Sequence, residues 1–307
     1  MKSIDKQLFN FVVVIRSAGE RTVKACKHIV TNEISEENVH IIQCVPFEAA
    51  LKKCYEIGSE SEKKWLITID GDVLPRKGFI NELKKLTKKV NNDIIMFNAI
   101  VHDKLLMNFR TGGIKVYRTK YLDEALQMIP KVGSELRPEA TTLKKMENKG
   151  YKKKNFNYVA GLHDYEQYYQ DVYRKSFFHA TKHKEKIANL LDDWKVASST
   201  DTDYLVAIKG AVDGFLSKEI AKSDVRIFEK MSQNTFTELN VEEKEELKID
   251  PISEKVEKEI SNAGAFYKLF ELKGVKEELK KKGIINGILW YIGHALEVTG
   301  MKFKRLS

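Results

Sequence analysis

A chain of 307 residues with 42% hydrophobic and 32% charged positions is long enough to bury a full core and has an ordinary globular composition. Three cysteines, Cys26, Cys44 and Cys54, argue against a disulfide framework and lack zinc-type spacing, and no run reaches the ~18 apolar residues of a spanning helix. The net charge of +9 suits nucleic acid, an anionic membrane surface or an anionic substrate; without a nucleic-acid module, nucleic acid is set aside as a partner.

The opening MKSIDKQLFNF has no leader-type apolar core or cleavage site, which together with the free cysteines reads as a cytoplasmic protein. Leu8 to Ile15 is a dense β-branched and aromatic run that predicts a strand. A polar break at Arg16-Ser17-Ala18-Gly19 and a helical pattern from Glu20 to Val30 follow. Val39 to Val45 predicts a second strand, and Pro46 opens a helix through Phe47 to Ile57. Trp65 to Ile69 predicts a third, buried strand ending in Asp70-Gly71-Asp72. Two carboxylates at a strand's C-terminal edge suit a divalent ion holding a diphosphate, although Asp-Gly is also a common solvated turn.

A helix over Gly78 to Val90 and a strand over Asp93 to Val101 extend the alternation, which implies right-handed crossovers and a mostly parallel sheet. Phe109-Arg110-Thr111-Gly112-Gly113 precedes a short strand, Ile114 to Arg118; the glycine pair fits a close backbone approach or a hairpin turn. Helices are predicted near Tyr121 to Met128 and Ser134 to Lys149, with Lys152 to Lys154 in a solvated break. A short strand, Tyr158 to Leu162, ends in His163-Asp164. A long helix is expected next, with Asp164 as its N-cap and Glu166 in its first turn; capping and metal or base chemistry both fit these residues.

The D-x-D at an inner strand end, the R-x-G-G segment and the later His-Asp together resemble the nucleotide-sugar glycosyltransferases of GT-A fold, most closely the family-2-like bacterial type, over Leu8 to Leu191. The resemblance implies an α/β fold, a GT-A (Rossmann-like) mostly parallel sheet flanked by helices with a helical C-terminal extension. It divides the chain into a nucleotide-sugar-binding catalytic domain over 1–191 and a helical region over 192–307. It places Asp70 and Asp72 on the ribose and on diphosphate-bound Mn²⁺ or Mg²⁺, with His163 as a further metal ligand. Asp164 or Glu166 takes the catalytic carboxylate position of inverting enzymes, and Arg16 and Glu20 contact the nucleotide. Arg110, Gly112 and Gly113 fall where donor diphosphate or acceptor approaches. The partners implied are a nucleoside-diphosphate sugar and a glycan or lipid-linked acceptor, as in surface polysaccharide synthesis. Two departures stand out: the family's usual acidic residue after the second strand has no clear match in Cys44-Val45-Pro46-Phe47-Glu48, and His-Asp replaces the acidic doublet of inverting members.

Beyond Leu191, Asp201 to Ala221 has amphipathic helical spacing, and Asp224 to Pro251 reads as a polar linker or exposed helix. From Ala265 onward nine Lys/Arg face four Glu around the apolar run Ile284 to Val298, which fits a peripheral anchor on the inner membrane face or a helix docked on protein. A sugar-phosphate nucleotidyltransferase is the alternative enzyme, although Arg16 to Lys24 lacks its Gly-rich basic loop. A non-catalytic basic protein binding membrane or acidic polymer is the third reading. Sugar, acceptor and oligomeric state are not written in the sequence.

Overall fold

The computed structural model describes residues 10–217 and 225–270. In chain order its elements are β1 (Phe11–Arg16), α1 (Val23–Thr31), β2 (Val39–Ile42), α2 (Phe47–Glu60), β3 (Trp65–Asp70), β4 (Val73–Pro75), α3 (Phe79–Thr87), β5 (Ile94–Asp103), β6 (Asn108–Arg118), α4 (Leu122–Leu126), α5 (Pro138–Asn148), β7 (Lys152–His163), α6 (Tyr169–Lys182), α7 (Lys184–Ala188), α8 (Leu191–Ala197), α9 (Thr202–Leu216), α10 (Val225–Leu239) and α11 (Ile252–Phe270). The chain divides into two compact units after Glu257, and every site residue described below belongs to the first.

The seven strands form one sheet in the order β2-β1-β3-β6-β5-β7-β4. β2, β1, β3, β5 and β7 run one way, while β6 and β4 run against them, so the sheet is mostly parallel and flanked by helices, as the sequence leads one to expect. β1 and β3 read as unbroken apolar runs because both faces are covered: all six residues of β1 and the first five of β3 are buried. On one face Val12, Val14 and Leu66 pack with Leu51 and Tyr55 of α2 and with Leu143 and Met146 of α5. A second cluster joins Leu105 and Leu106, between β5 and β6, to Tyr173 and Phe177 of α6, Trp194 of α8 and Val206 of α9. Trp194 is fully buried and its Nε1 donates to the Leu105 carbonyl at 2.8 Å, so helices beyond residue 191 brace the β5–β6 turn.

Several local expectations shift, each for a tertiary reason. Lys152 to Lys154 begin β7 rather than forming a break. Their backbone pairs with Ile94, Met96 and Phe97 of β5, while Lys152 and Lys153 meet Asp93 and Glu147 at 2.8 and 3.2 Å, so ladder pairing overrides a composition that suggests a loop. Arg110 to Gly113 lie inside a long β6, and the hairpin turn falls earlier, at Lys104 to Met107, with Met107 at φ 48°. The helix after His163 starts only at Tyr169, so Asp164 is not its N-cap and Glu166 is not in its first turn. The first two backbone N–H groups of α6 are instead met by the distant Glu243 carboxylate, at 2.7 and 3.0 Å. The polar stretch after Asp224 contains α10 before a non-helical segment carrying Glu242 to Glu246. Among the described residues no helix is long and apolar enough to cross a membrane, and the proposed anchor, Ile284 to Val298 with its flanking lysines, lies outside the described residues.

Candidate active site and metal centre

Asp70 closes β3, and Gly71 turns the backbone so that the two carboxylates part. The Gly71 N–H donates to the Arg16 carbonyl at 2.7 Å, and Thr22 Oγ1 donates to the Gly71 carbonyl at 2.6 Å. A Cβ at position 71 would lie 2.5 Å from Glu20 Oε2 and 3.0 Å from the Arg16 carbonyl, so a larger residue there would have to displace the Glu20 carboxylate and crowd the β1 backbone. Asp70 pairs sideways with Arg16, its partner in the parallel β1–β3 register, at 2.6 Å to Nη2 and 2.8 Å to Nε. Arg16 is buried and also donates to Glu139 Oε1 at 3.2 Å, and Lys115 and Tyr117 donate to the same carboxylate. Burial would push Glu139 up, but Arg16 and Lys115 outweigh it and hold the carboxyl at about 2.

Asp72 points the other way, into a group with His163 and Asp164 whose ligand-type atoms lie within 4.8 Å of one another. Topology brings them together: β4 pairs antiparallel with β7 so that Val73 sits opposite His163, and the Asp164 N–H donates to the Asp72 carbonyl at 3.1 Å. Asp164 at φ 57° and Glu166 at φ 55° lie in the left-handed region, a conformation that costs energy for residues with a side chain and that folds Asp164 back toward Asp72. On the other side of β7, Asp103 ends β5 in register with His163, with Oδ2 3.2 Å from His163 Nδ1. Asp164 Oδ2 is 3.0 Å from the same nitrogen, and Asp72 Oδ1 lies 3.4 Å from Nε2. That Asp72 oxygen is buried and accepts no hydrogen bond from any described residue.

Two cations complete the cluster. Arg110 Nε donates to Asp103 Oδ2 at 2.5 Å, and its Nη2 lies within 3.2 Å of both His163 ring nitrogens. Lys175, from the middle of α6, donates to Asp72 Oδ2 at 2.5 Å and to Asp164 Oδ1. Burial disfavours every charge here, yet the opposite charges win. His163 is pushed up to about 10 by Asp164 and Asp72, Lys175 is held well above its ordinary value by the same two carboxylates, and Asp103 and Asp164 sit well below the usual carboxylate range beside His163.

Of the residues singled out from sequence, Asp72, His163, Asp164 and Arg110 therefore meet in one cluster. Gly113 approaches it as well: at φ 74°, a Cβ there would lie 2.6 Å from Val73 Cγ2 and 3.4 Å from His163 Cδ2, while Gly112 at φ 132° underlies the Arg110 side chain. Asp70 stands outside the metal-type group, beside Arg16. Glu20 accepts from the Ala18 N–H at 2.8 Å and Ser17 Oγ at 3.1 Å, and burial together with the Asp72 charge raises its pKa. Glu166 accepts from Arg21 Nη1 at 2.7 Å. Asp103, Glu139 and Lys175 were not singled out from sequence. Asp103 carries the one signal that could have found it, a carboxylate two residues beyond a predicted strand that in the structure runs on to it; nothing in the spacing of Lys175 marks it.

The donor set of two carboxylates and one imidazole suits a divalent ion, and the unsatisfied Asp72 oxygen gives it a ready ligand.

No family model matches the chain, and no curated protein is similar to it by sequence. By chain path it is similar to several solved structures. A mannosyltransferase from Pyrobaculum calidifontis in complex with GDP-Man and Mn²⁺ matches at 10% identity and a TM-score of 0.36, over 74% of this chain and 80% of that one. A glycosyltransferase involved in glycosylation of the major capsid of PBCV-1 matches at 12% identity and 0.36, over 50% and 92%. CMP:2-keto-3-deoxy-manno-octonic acid synthetase complexed with CTP matches at 11% and 0.34, over 49% and 90%. Each overlap is coarse, and no residue role follows from it.

Proposed function

We propose that the chain is a metal-dependent glycosyltransferase, moving a sugar from a nucleoside-diphosphate sugar to a hydroxyl of a glycan or lipid-linked acceptor. The observation that supports this most is the convergence of Asp72, His163 and Asp164 at the C-terminal edge of the sheet, the edge at which α/β folds bind ligands. Asp72, His163 and Asp164 would hold Mn²⁺ or Mg²⁺. When bound, the ion neutralises the charge of the departing diphosphate as a Lewis acid, without a proton transfer.

The chain's own residues supply the rest of this reading. Asp103 holds His163 Nδ1 and so presents Nε2 toward Asp72. Asp70, one-third exposed and paired with Arg16, would accept from a ribose hydroxyl. Arg110, also about one-third exposed, offers a guanidinium edge to phosphate oxygens. Asp164 is engaged by His163 and Lys175 on both oxygens, which suits a ligand better than a base. Glu166, held by Arg21 and partly exposed, is then the carboxylate left to take the acceptor's proton. The 1–191 catalytic region, the helical 192–307 region and a membrane-facing tail belong to the same proposal.

A thermal-shift screen of nucleoside diphosphates with and without Mn²⁺ tests it. Saturation at a hundred times Kd adds about 2.7 kcal/mol, a rise of several degrees, for the matching nucleotide with metal present. Asp72→Ala should remove both the metal-dependent shift and sugar transfer. Unchanged transfer in that variant would overturn the reading, and release of pyrophosphate instead of a nucleoside diphosphate would make the chain a nucleotidyltransferase.

A further inference from the structure

We infer that Lys175 is an internal counter-cation that a divalent ion must displace to load this site, and that a small pocket beside it receives the displaced ammonium. The inference rests on the metal reading above. The ammonium donates to Asp72 Oδ2 at 2.5 Å and to Asp164 Oδ1, and so occupies an oxygen on each of the two carboxylates that would ligate the ion. An ion taking the free Asp72 Oδ1 together with Asp164 would stand next to that ammonium, a like charge, in a buried setting where screening is weak. Repulsion between the two cations favours one at a time at this pair, so in the apo state Lys175 supplies the positive charge that the ion would bring.

The pocket supplies the second position. Lys104, Leu105, Asp164, Gln167, Lys175 and Asp203 are among the residues that line it. Gln167 donates through Nε2 to Thr22 Oγ1 at 3.0 Å and to the Tyr165 carbonyl at 3.2 Å, which orients its amide. Its Oε1 is buried and accepts no hydrogen bond from any described residue. A buried acceptor without a donor is rare in folded proteins, and here it belongs to a residue that lines the same pocket as Lys175. Asp203, also in the lining, adds a carboxylate shared by Lys104 and Lys244. The displaced ammonium would there find the Gln167 oxygen as acceptor, with Asp203 offsetting part of the added positive charge.

The test is Mn²⁺ binding alone, with no nucleotide or acceptor, followed by the loss of the free-ion paramagnetic resonance signal. Lys175→Met should bind Mn²⁺ at least tenfold more tightly than the wild type, because no internal cation competes. Lys175→Arg, which keeps the charge and can hold both carboxylates at once, should bind at least tenfold more weakly and covers the case in which the methionine variant does not fold. Gln167→Met should weaken binding several-fold in the wild type and have no effect in the Lys175→Met background. Equal affinity for wild type, Lys175→Met and Lys175→Arg, with binding lost in Asp72→Asn, would overturn this inference and leave the metal site standing. Absence of Mn²⁺ binding in every one of these proteins would overturn both.

Discussion

Asp103 and His163 sit side by side on parallel strands in the same register, with Oδ2 3.2 Å from Nδ1. A carboxylate behind an imidazole fixes the ring's orientation and tautomer and strengthens the opposite nitrogen as a ligand. Asp103→Asn should therefore weaken Mn²⁺ binding about 10–100-fold. Isothermal titration of the two proteins checks this, with circular dichroism to show that the sheet persists.

The same imidazole makes metal binding pH-dependent. With His163 pushed up to about 10, the ion must replace a proton, so Mn²⁺ affinity should rise by up to about tenfold per pH unit between pH 7 and 9. Without metal the sign for stability is opposite. The charged imidazole's contribution is fully present below the ordinary value of 6.5 and is lost as pH rises through about 10. Titrations at pH 7, 8 and 9, paired with melts of the apo protein, measure both trends.

Glu139 governs the acid limb. Its folded value of about 2 lies below the ordinary 4.5, so its contribution is present above 4.5 and disappears as pH falls toward 2. The displacement corresponds to a contribution of about 3 kcal/mol. Urea unfolding at pH 7, 4.5 and 3 should show that fall in the wild type and a flatter profile in Glu139→Gln, which starts from lower stability.

Gly113 is the position where a single methyl group should be felt. Its φ of 74°, and the 2.6 Å that would separate a Cβ there from Val73 Cγ2, leave alanine both strained and crowded. Gly113→Ala should cost about 1–3 kcal/mol and lower Tm by several degrees, and Gly113→Val should cost more. Differential scanning calorimetry distinguishes this from a purely local effect on metal binding.

The mostly parallel sheet and the position of Asp72 were legible because β1 and β3 are continuous apolar runs and because Asp-Gly-Asp stops the second of them abruptly. His163 was legible for the same reason, as a polar stop at a strand end. Lys175 was not, since it sits on α6 with no spacing that sets it apart and reaches the cluster only through the packing of α6 against α9 and the β5–β6 turn. Asp164 was misplaced as a helix cap because an aspartate before an amphipathic run has that signature. Its true position depends on a left-handed turn and on Glu243, a residue far along the chain, taking over the cap. Local patterns report the strand ends, and long-range partners decide which side chains face each other there.

β4 is only three residues long and forms the outer edge of the sheet, yet its pairing with β7 is what brings Asp72 and His163 together. Short edge segments open by local fraying far more readily than a domain unfolds. An ion held between these strands would then exchange at the rate at which Val73 to Pro75 peel from Gly161 to His163. Residence time and global stability become separate properties of the protein, and substitutions along this seam would change the first while leaving the second nearly untouched.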